Sequence, residues 1–193
     1  MNFLSLYKFM HESGHPEARS AQVPFPAAPD SYHTISNDGG QDIFARFSIH
    51  LCLHSARVES GDLFNIGDES KSRSYADRWP AVCKLYGLEG VDPIEPGSPG
   101  YRTPVKFAKA HPDQVTKLAE EKGVTLQGIG LEEGLEMWME HFDFDHHLIL
   151  DKARSVGFTD ELTYDVAWRK VFERYAKAKK AYLGSEKVMN GHI

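Results

Sequence analysis

The sequence predicts an α/β chain, mostly helical with a few short strands, and three observations point that way. Apolar residues recur every three or four positions through several long windows, which is the period of amphipathic helices. Short apolar runs occur only between turn-forming residues, so the strands should be few and brief. Full strand–helix–strand alternation is missing. A parallel nucleotide-binding sheet needs several apolar strands, each feeding a crossover helix, and only residues 63–67 qualify. Pattern alone therefore allows either an α/β or an α+β arrangement.

In chain order, Phe3, Leu4, Tyr7, Phe9 and Met10 mark a first helix that should end near Gly14 and Pro16. Residues 22–29 carry too many prolines for a central strand and read as an extended loop or edge, followed by a short strand over 32–35. Asn-Asp-Gly-Gly at 37–40 is a turn that opens a helix over 41–54, phased by Ile43, Phe44, Phe47 and Leu51. Leu-Phe-Asn-Ile-Gly at 63–67 reads as a compact strand closed by its glycine. Ser74 is an N-cap with Asp77 three residues on, and the helix behind it carries Trp79, Val82, Leu85 and Tyr86 on one stripe. Pro80 lies early enough in that helix to be tolerated. The Pro/Gly-rich stretch 91–104 is irregular. Further helices are expected over 112–121, 131–140 and 164–183.

A length of 193 residues is compatible with one domain, and 41% hydrophobic with 26% charged residues describes a chain that folds rather than a disordered one. The formal charge of −6 gives no overall footprint for nucleic acid or an anionic membrane, and the basic run over 169–180 reads as a solvated helix face. Cys52 and Cys83 stand in no disulfide-framework or zinc-ribbon spacing, which fits a reducing compartment. Lys8, His11 and Glu12 interrupt the first apolar stretch, leaving no signal-peptide core and no span. The expected localisation is cytoplasmic.

Six segments occur in a telling order: Val-Pro-Phe-Pro at 23–26, Asp-Ile-Phe-Ala-Arg at 42–46, Phe-Asn-Ile-Gly-Asp at 64–68, Tyr-Ala-Asp-Arg-Trp-Pro at 75–80, Leu-Tyr-Gly-Leu-Glu-Gly at 85–90 and Leu-Asp-Lys-Ala-Arg-Ser-Val-Gly-Phe at 150–158. The last is similar to a signature near the C-terminus of extended short-chain dehydrogenases. Together they resemble the C-terminal half of the progesterone 5-beta-reductase/iridoid synthase-like (PRISE-like) reductases, fungal secondary-metabolism type. The resemblance implies the substrate-covering part of an NAD(P)-binding Rossmann-type reductase, lacking the N-terminal nucleotide-binding core, with residues 1–193 as one partial domain. It further implies NADP or NAD for the complete fold and none held by this chain alone. A small apolar carbonyl or enone is the implied substrate, and an upstream half or another protein is the implied partner. The family's catalytic Tyr and Lys map onto no position here. Asn2, Met137 and Trp138 resemble family positions beside the substrate pocket, although Trp138 fits a core position on its helix equally well.

The signature segment has a structural explanation of its own: Asp151 caps a short helix, Ala153 permits close packing, Gly157 ends the helix left-handed and Phe158 packs back. Other motifs imitate active sites. Residues 124–134 mimic a strand, a glycine turn and a helix, but Glu132 and Glu133 would meet the pyrophosphate with two carboxylates, and Glu133 replaces the third glycine. Tyr175 and Lys179 match Tyr-x-x-x-Lys by spacing, yet Trp168, Val171, Phe172, Tyr175 and Tyr182 form one stripe, so Tyr175 is expected in the core. His141, Asp143, Asp145 and His147 would share one strand face and are the best candidates for a metal, with a polar strand face as the alternative. His50 and His54 lack the glutamate a metalloprotease helix needs, and no Gly-x-Ser-x-Gly elbow exists. The expected site therefore has no catalytic, cofactor-binding or metal residue of its own. The leading function is a truncated or split reductase half, inactive alone, and the competing one is a non-catalytic module that docks through an exposed apolar face.

Overall fold

The computed structural model describes residues 2–125 and 143–184. It is a helix-rich α/β arrangement built around the first helix. Helix α1 (Asn2–Glu12) has every residue from Phe3 to Met10 buried, Ser5 and Lys8 included. A helix buried all round belongs at a centre rather than on a surface. The two polar members are satisfied: Lys8 pairs with Glu12 at 3.3 Å, and Ser5 accepts the Tyr182 amide at 3.0 Å. Gly14 then takes a positive φ, and a 3-10 turn (Pro16–Ala18) follows.

Strand β1 (Gln22–Pro24) pairs in parallel with β4 (Glu89–Val91), Val23 opposite Gly90. Trp79 forces glycine at position 90, because a Cβ there would lie 2.8 Å from both the indole Cδ1 and the Trp79 carbonyl oxygen. The indole N–H in turn donates to the Val23 carbonyl at 2.8 Å, which locks the ring across the strand pair. Helix α2 (Pro29–His33) corrects the expected strand over 32–35. Pro29 presets the first helical φ, and the Ser31 hydroxyl donates to the Ala28 carbonyl at 2.8 Å. Only β2 (Ile35–Ser36) is strand, antiparallel to β3 (Arg73–Ser74).

Helix α3 (Gln41–Leu53) starts at Gly40 as the turn signal predicts. Residues 63–67 form no strand, contrary to expectation, because no neighbouring strand pairs with them among the described residues. Helix α4 (Tyr75–Lys84) carries the capping box: Ser74 accepts the Asp77 amide and Asp77 accepts the Ser74 amide. Helix α5 (Pro104–Ala110), hidden in the sequence by its flanking prolines, is capped by Thr103, and α6 (Pro112–Lys122) ends at left-handed Gly123.

Helix α7 (Asp151–Ser155) is the signature segment, and one part of its reading needs correction. Leu150 occupies the N-cap with no side-chain cap bond, so Asp151 is already helical and faces the dipole instead of capping. Gly157 (φ 91°) does end the helix: its amide donates to the Arg154 carbonyl at 2.9 Å and the Phe158 amide to Ala153 at 3.2 Å. Helix α8 (Tyr164–Lys177) stops six residues before the expected end. Lys179 turns left-handed there, and Ala181, Tyr182 and Leu183 fold back, buried, toward α1.

Candidate functional site

The pocket positions suggested by the resemblance are placed unevenly. Asn2 is the first residue of α1, partly buried at one end of the central helix. Met137 and Trp138 lie outside the described residues, as do His141, the helix expected over 131–140 and most of the glycine-turn mimic. What the structure does show is how the chain is fastened where it re-enters after them.

Asn37 organises that fastening. Its side-chain oxygen accepts the Leu148 amide at 2.8 Å and the Ser72 hydroxyl at 2.9 Å, while its NH2 donates to the Glu69 carbonyl at 3.0 Å. Alongside, Asp145 accepts the Ile35 amide at 2.9 Å, and the His146 amide donates to the Ile35 carbonyl at 2.8 Å. Segment 145–148 is thereby clipped to β2. His147 contacts Ser72 through Nδ1. Because the one hydroxyl proton of Ser72 goes to Asn37, His147 must donate to Ser72, and it cannot act as a base toward that serine. The pair is a clip and not a nucleophile. The sequence marks Asn37 only as a turn residue, and its spacing carries no signal of contacts made 32, 35 and 111 positions away.

Below the clip lies a buried guanidinium. Arg78 donates to the Ser36 hydroxyl at 3.0 Å, to Asp38 at 3.1 Å, to the Arg73 carbonyl at 2.8 Å and to the Ser36 carbonyl. Asp38 also accepts the Trp168 indole N–H at 2.7 Å, so one carboxylate ties β2, α4 and α8 together. Sequence patterns did not single out either residue.

The glycine-opened start of α3 is the nearest described approach to a phosphate cradle, and it does not fit one. Asp68 occupies it: its carboxylate accepts the Gly40 amide at 2.9 Å, and burial pushes that carboxyl's pKa above its usual range. Asp42 stands beside it with its pKa lowered by the Arg174 guanidinium, which grips both oxygens at 2.7 and 3.0 Å. A cleft of about 230 Å³ opens here between α3 and α8, lined among others by Asp42, Asp68, Lys170, Arg174 and Tyr175. The Gly40 amide that a phosphate would need at this helix start is already taken by Asp68.

The remaining motifs separate. Tyr175 is 36% exposed at that cleft, which corrects its expected place in the core, and Lys179 lies beyond the helix end. His50 and His54 stack at 4.3 Å, His50 Nε2 facing the Val156 carbonyl and His54 Nδ1 the His50 carbonyl, so each spends a ring nitrogen on backbone. Phe144 and His146 have rings 4.2 Å apart, but residues 143–147 form no strand, His146 making only an isolated bridge to Ser36. Among the described residues no group of three or more His, Cys, Asp or Glu could hold a metal ion, and no helix is long and apolar enough to cross a membrane.

The model of the PRISE-like Rossmann-fold domain matches residues 1–181. The chain belongs to that family. Among curated proteins it is 27% identical over 179 residues to the "Short chain dehydrogenase ausT" of Aspergillus calidoustus, covering 92% of this chain and 41% of the relative. It is 29% identical over 188 residues to the "Short chain dehydrogenase sirS" of Leptosphaeria maculans, covering 92% of this chain and 44% of the relative. The chain thus spans about two fifths of the length of the relatives it matches. The PRISE-like resemblance is therefore shown, and both of these relatives are fungal proteins named as short-chain dehydrogenases.

Proposed function

We propose that this chain supplies the substrate-covering half of a PRISE-like reductase of fungal secondary metabolism, and that it transfers no hydride unaided. The observation that carries this reading is a family match over residues 1–181 combined with a helix start already filled by Asp68, where a dinucleotide would need a bare glycine turn. NADPH or NADH would be held by the nucleotide-binding half, whether that half is in the same polypeptide or another. A small apolar carbonyl or enone would be the substrate. Asn2, Met137 and Trp138 would line its pocket, with the Asn37 clip holding the wall in place. A wall of apolar and aromatic groups excludes water and strengthens the electrostatics at the reacting carbonyl. The two free cysteines, outside any disulfide spacing, support a cytoplasmic setting.

Purified 193-residue chain mixed with NADPH and simple enones should show neither nucleotide binding by calorimetry nor saturable NADPH oxidation. Saturable oxidation by the chain alone overturns the reading. A second reading, a non-catalytic module docking through apolar surface, is supported by the exposed Ile49, Leu53 and Leu63. It would be favoured over the first if reconstitution with a nucleotide-binding half gave a stable complex without turnover.

A further inference from the structure

The cleft between α3 and α8 is lined by polar groups that the fold does not use up. Asp68, only 2% exposed, is held in place there at three points. Its amide donates to the Asp38 carbonyl at 2.7 Å, its carbonyl accepts the Leu162 amide at 2.6 Å, and its Oδ1 accepts the Gly40 amide at 2.9 Å. Oδ2 carries no hydrogen bond among the described residues, whereas buried polar groups are as a rule satisfied. Burial raises the pKa of this carboxyl, so a positive charge set against Oδ2 would relieve a standing desolvation cost. On α8, Lys170 lies 3.8 Å from Asp42, beyond hydrogen-bond length, because Arg174 already grips both Asp42 oxygens. The Lys170 ammonium is therefore available to a carboxylate. The Tyr175 hydroxyl also has no partner among the described residues, and Leu162, Ala167 and Val171 supply the apolar part of the lining.

We propose that this cleft binds a small zwitterion with an apolar side chain, an aliphatic α-amino acid, its ammonium on Asp68 Oδ2 and its carboxylate on Lys170. The amino acid side chain then rests against Leu162, Ala167 and Val171. Charge and size together select this class. Asp42 and Asp68 balance Lys170 and Arg174, so the lining is neutral as a whole and favours a ligand that brings both signs over a simple anion or cation. Inside that balance Asp42 and Arg174 satisfy one another, which leaves one acid and one base unspent. A volume of about 230 Å³ lies below the roughly 300 Å³ at which pockets for drug-sized ligands begin, which suits a molecule of amino acid size. A carboxylate already fixed by three bonds needs no reordering to receive an ammonium, so little of the binding energy is lost to organising the site. This binding is independent of the chain's part in hydride transfer.

The test titrates the intact 193-residue chain with L-leucine, followed by calorimetry and by NMR amide shifts. Two probes each lack one charge: N-acetyl-L-leucine has no ammonium and isoamylamine no carboxylate. Leucine should bind one-to-one with a Kd of about 1 mM or tighter, moving the amides of Gly40, Asp68 and Val171, and each probe should bind about tenfold more weakly or worse. Asp68→Asn keeps an acceptor for the Gly40 amide but removes the charge, and should also weaken leucine about tenfold or more. Lys170→Gln, at a side chain 39% exposed, should leave the circular dichroism unchanged and weaken leucine about threefold or more. If Asp68→Asn does not fold, Lys170→Gln and the two probes decide the matter. Absence of saturable leucine binding overturns the proposal. Equal affinity for either probe overturns it in favour of a single-charge site, and leucine binding unchanged by Lys170→Gln overturns its placement in this cleft.

Discussion

Two hydrophobic clusters divide the chain, and they differ in size and in the elements they draw on. The first gathers around α1 and takes side chains from β1, α4, α5, α6, α8 and the returning residues 182–183. Met10, Cys83 and Tyr86 in it have no exposed surface at all. The second joins α3 and α7 through Ile43, Phe47, Ile66 and Phe158, and it is bordered by segment 63–67, which enters no backbone hydrogen bond among the described residues. The first cluster draws on most of the described helices, whereas the second is smaller and draws on α3, residues 64–66, α7 and residues 156–167. The lesson is that packing can hold a segment that has no strand partner among the described residues, because apolar contact has no direction and hydrogen bonding does.

Substitutions should separate the two clusters by size of effect. Phe172→Ala removes a ring that is 1% exposed and packs edge-on to Tyr86 at 5.4 Å, and should lower stability by about 4 kcal/mol with one cooperative transition in urea. Phe158→Ala in the second cluster should cost about 3 kcal/mol, and hydrogen exchange should show opening over 150–158 while α1 amides stay protected. Equal loss of protection in α1 would mean the two clusters are one cooperative unit. Ser74→Ala breaks the capping box and should cost about 1 kcal/mol.

Acid should distinguish the regions by charge. Asp42 is lowered chiefly by its bond to Arg174, and Glu161 by its bonds to Ser70 and then Arg154. A carboxylate lowered in the fold stabilises above its unfolded pKa, and that contribution disappears as pH falls through the folded value. Asp68 has the opposite sign: raised by burial, it imposes a penalty that grows as pH rises from the ordinary carboxylate range through its folded value. In the first cluster the shifted groups titrate in alkali, Tyr32 being pushed up to about 12. NMR amide signals around α3 and α7 should therefore be lost at a higher pH on acidification than those of α1. Simultaneous loss would break the comparison. The smallest effect belongs to Leu63→Lys, which should change the stability of the isolated chain by less than about 0.5 kcal/mol because the side chain has little to lose.

Legibility in the sequence followed the range of the interaction. Ser74 with Asp77 and Gly157 with Phe158 encode local geometry within four residues and read correctly as helix start and helix end, whereas residues 37–40 mark the start of α3 in extended form without the expected turn. Asp151 misled because Leu150 already occupies the cap, a shift of one position that propensity does not distinguish. Strand β1 pairs with β4 across 67 positions, and its three residues contain a proline, so the pairing had no local mark. The Asn37 clip was invisible for the same reason: an amide side chain suits a turn wherever it stands, and its partners at 69, 72 and 148 are chosen by packing.

By itself the sequence determined the helix-rich α/β character, the caps, the family and the strand pattern of residues 63–67, since hydrophobic period and short-range hydrogen bonding are written in neighbouring residues. Only the tertiary structure decided that this strand pattern forms no strand pair among the described residues, that Tyr175 faces a cleft, and that Asp68 fills the start of α3. Those outcomes depend on which distant groups arrive to satisfy a backbone or a charge, and residue order along one segment carries no record of that.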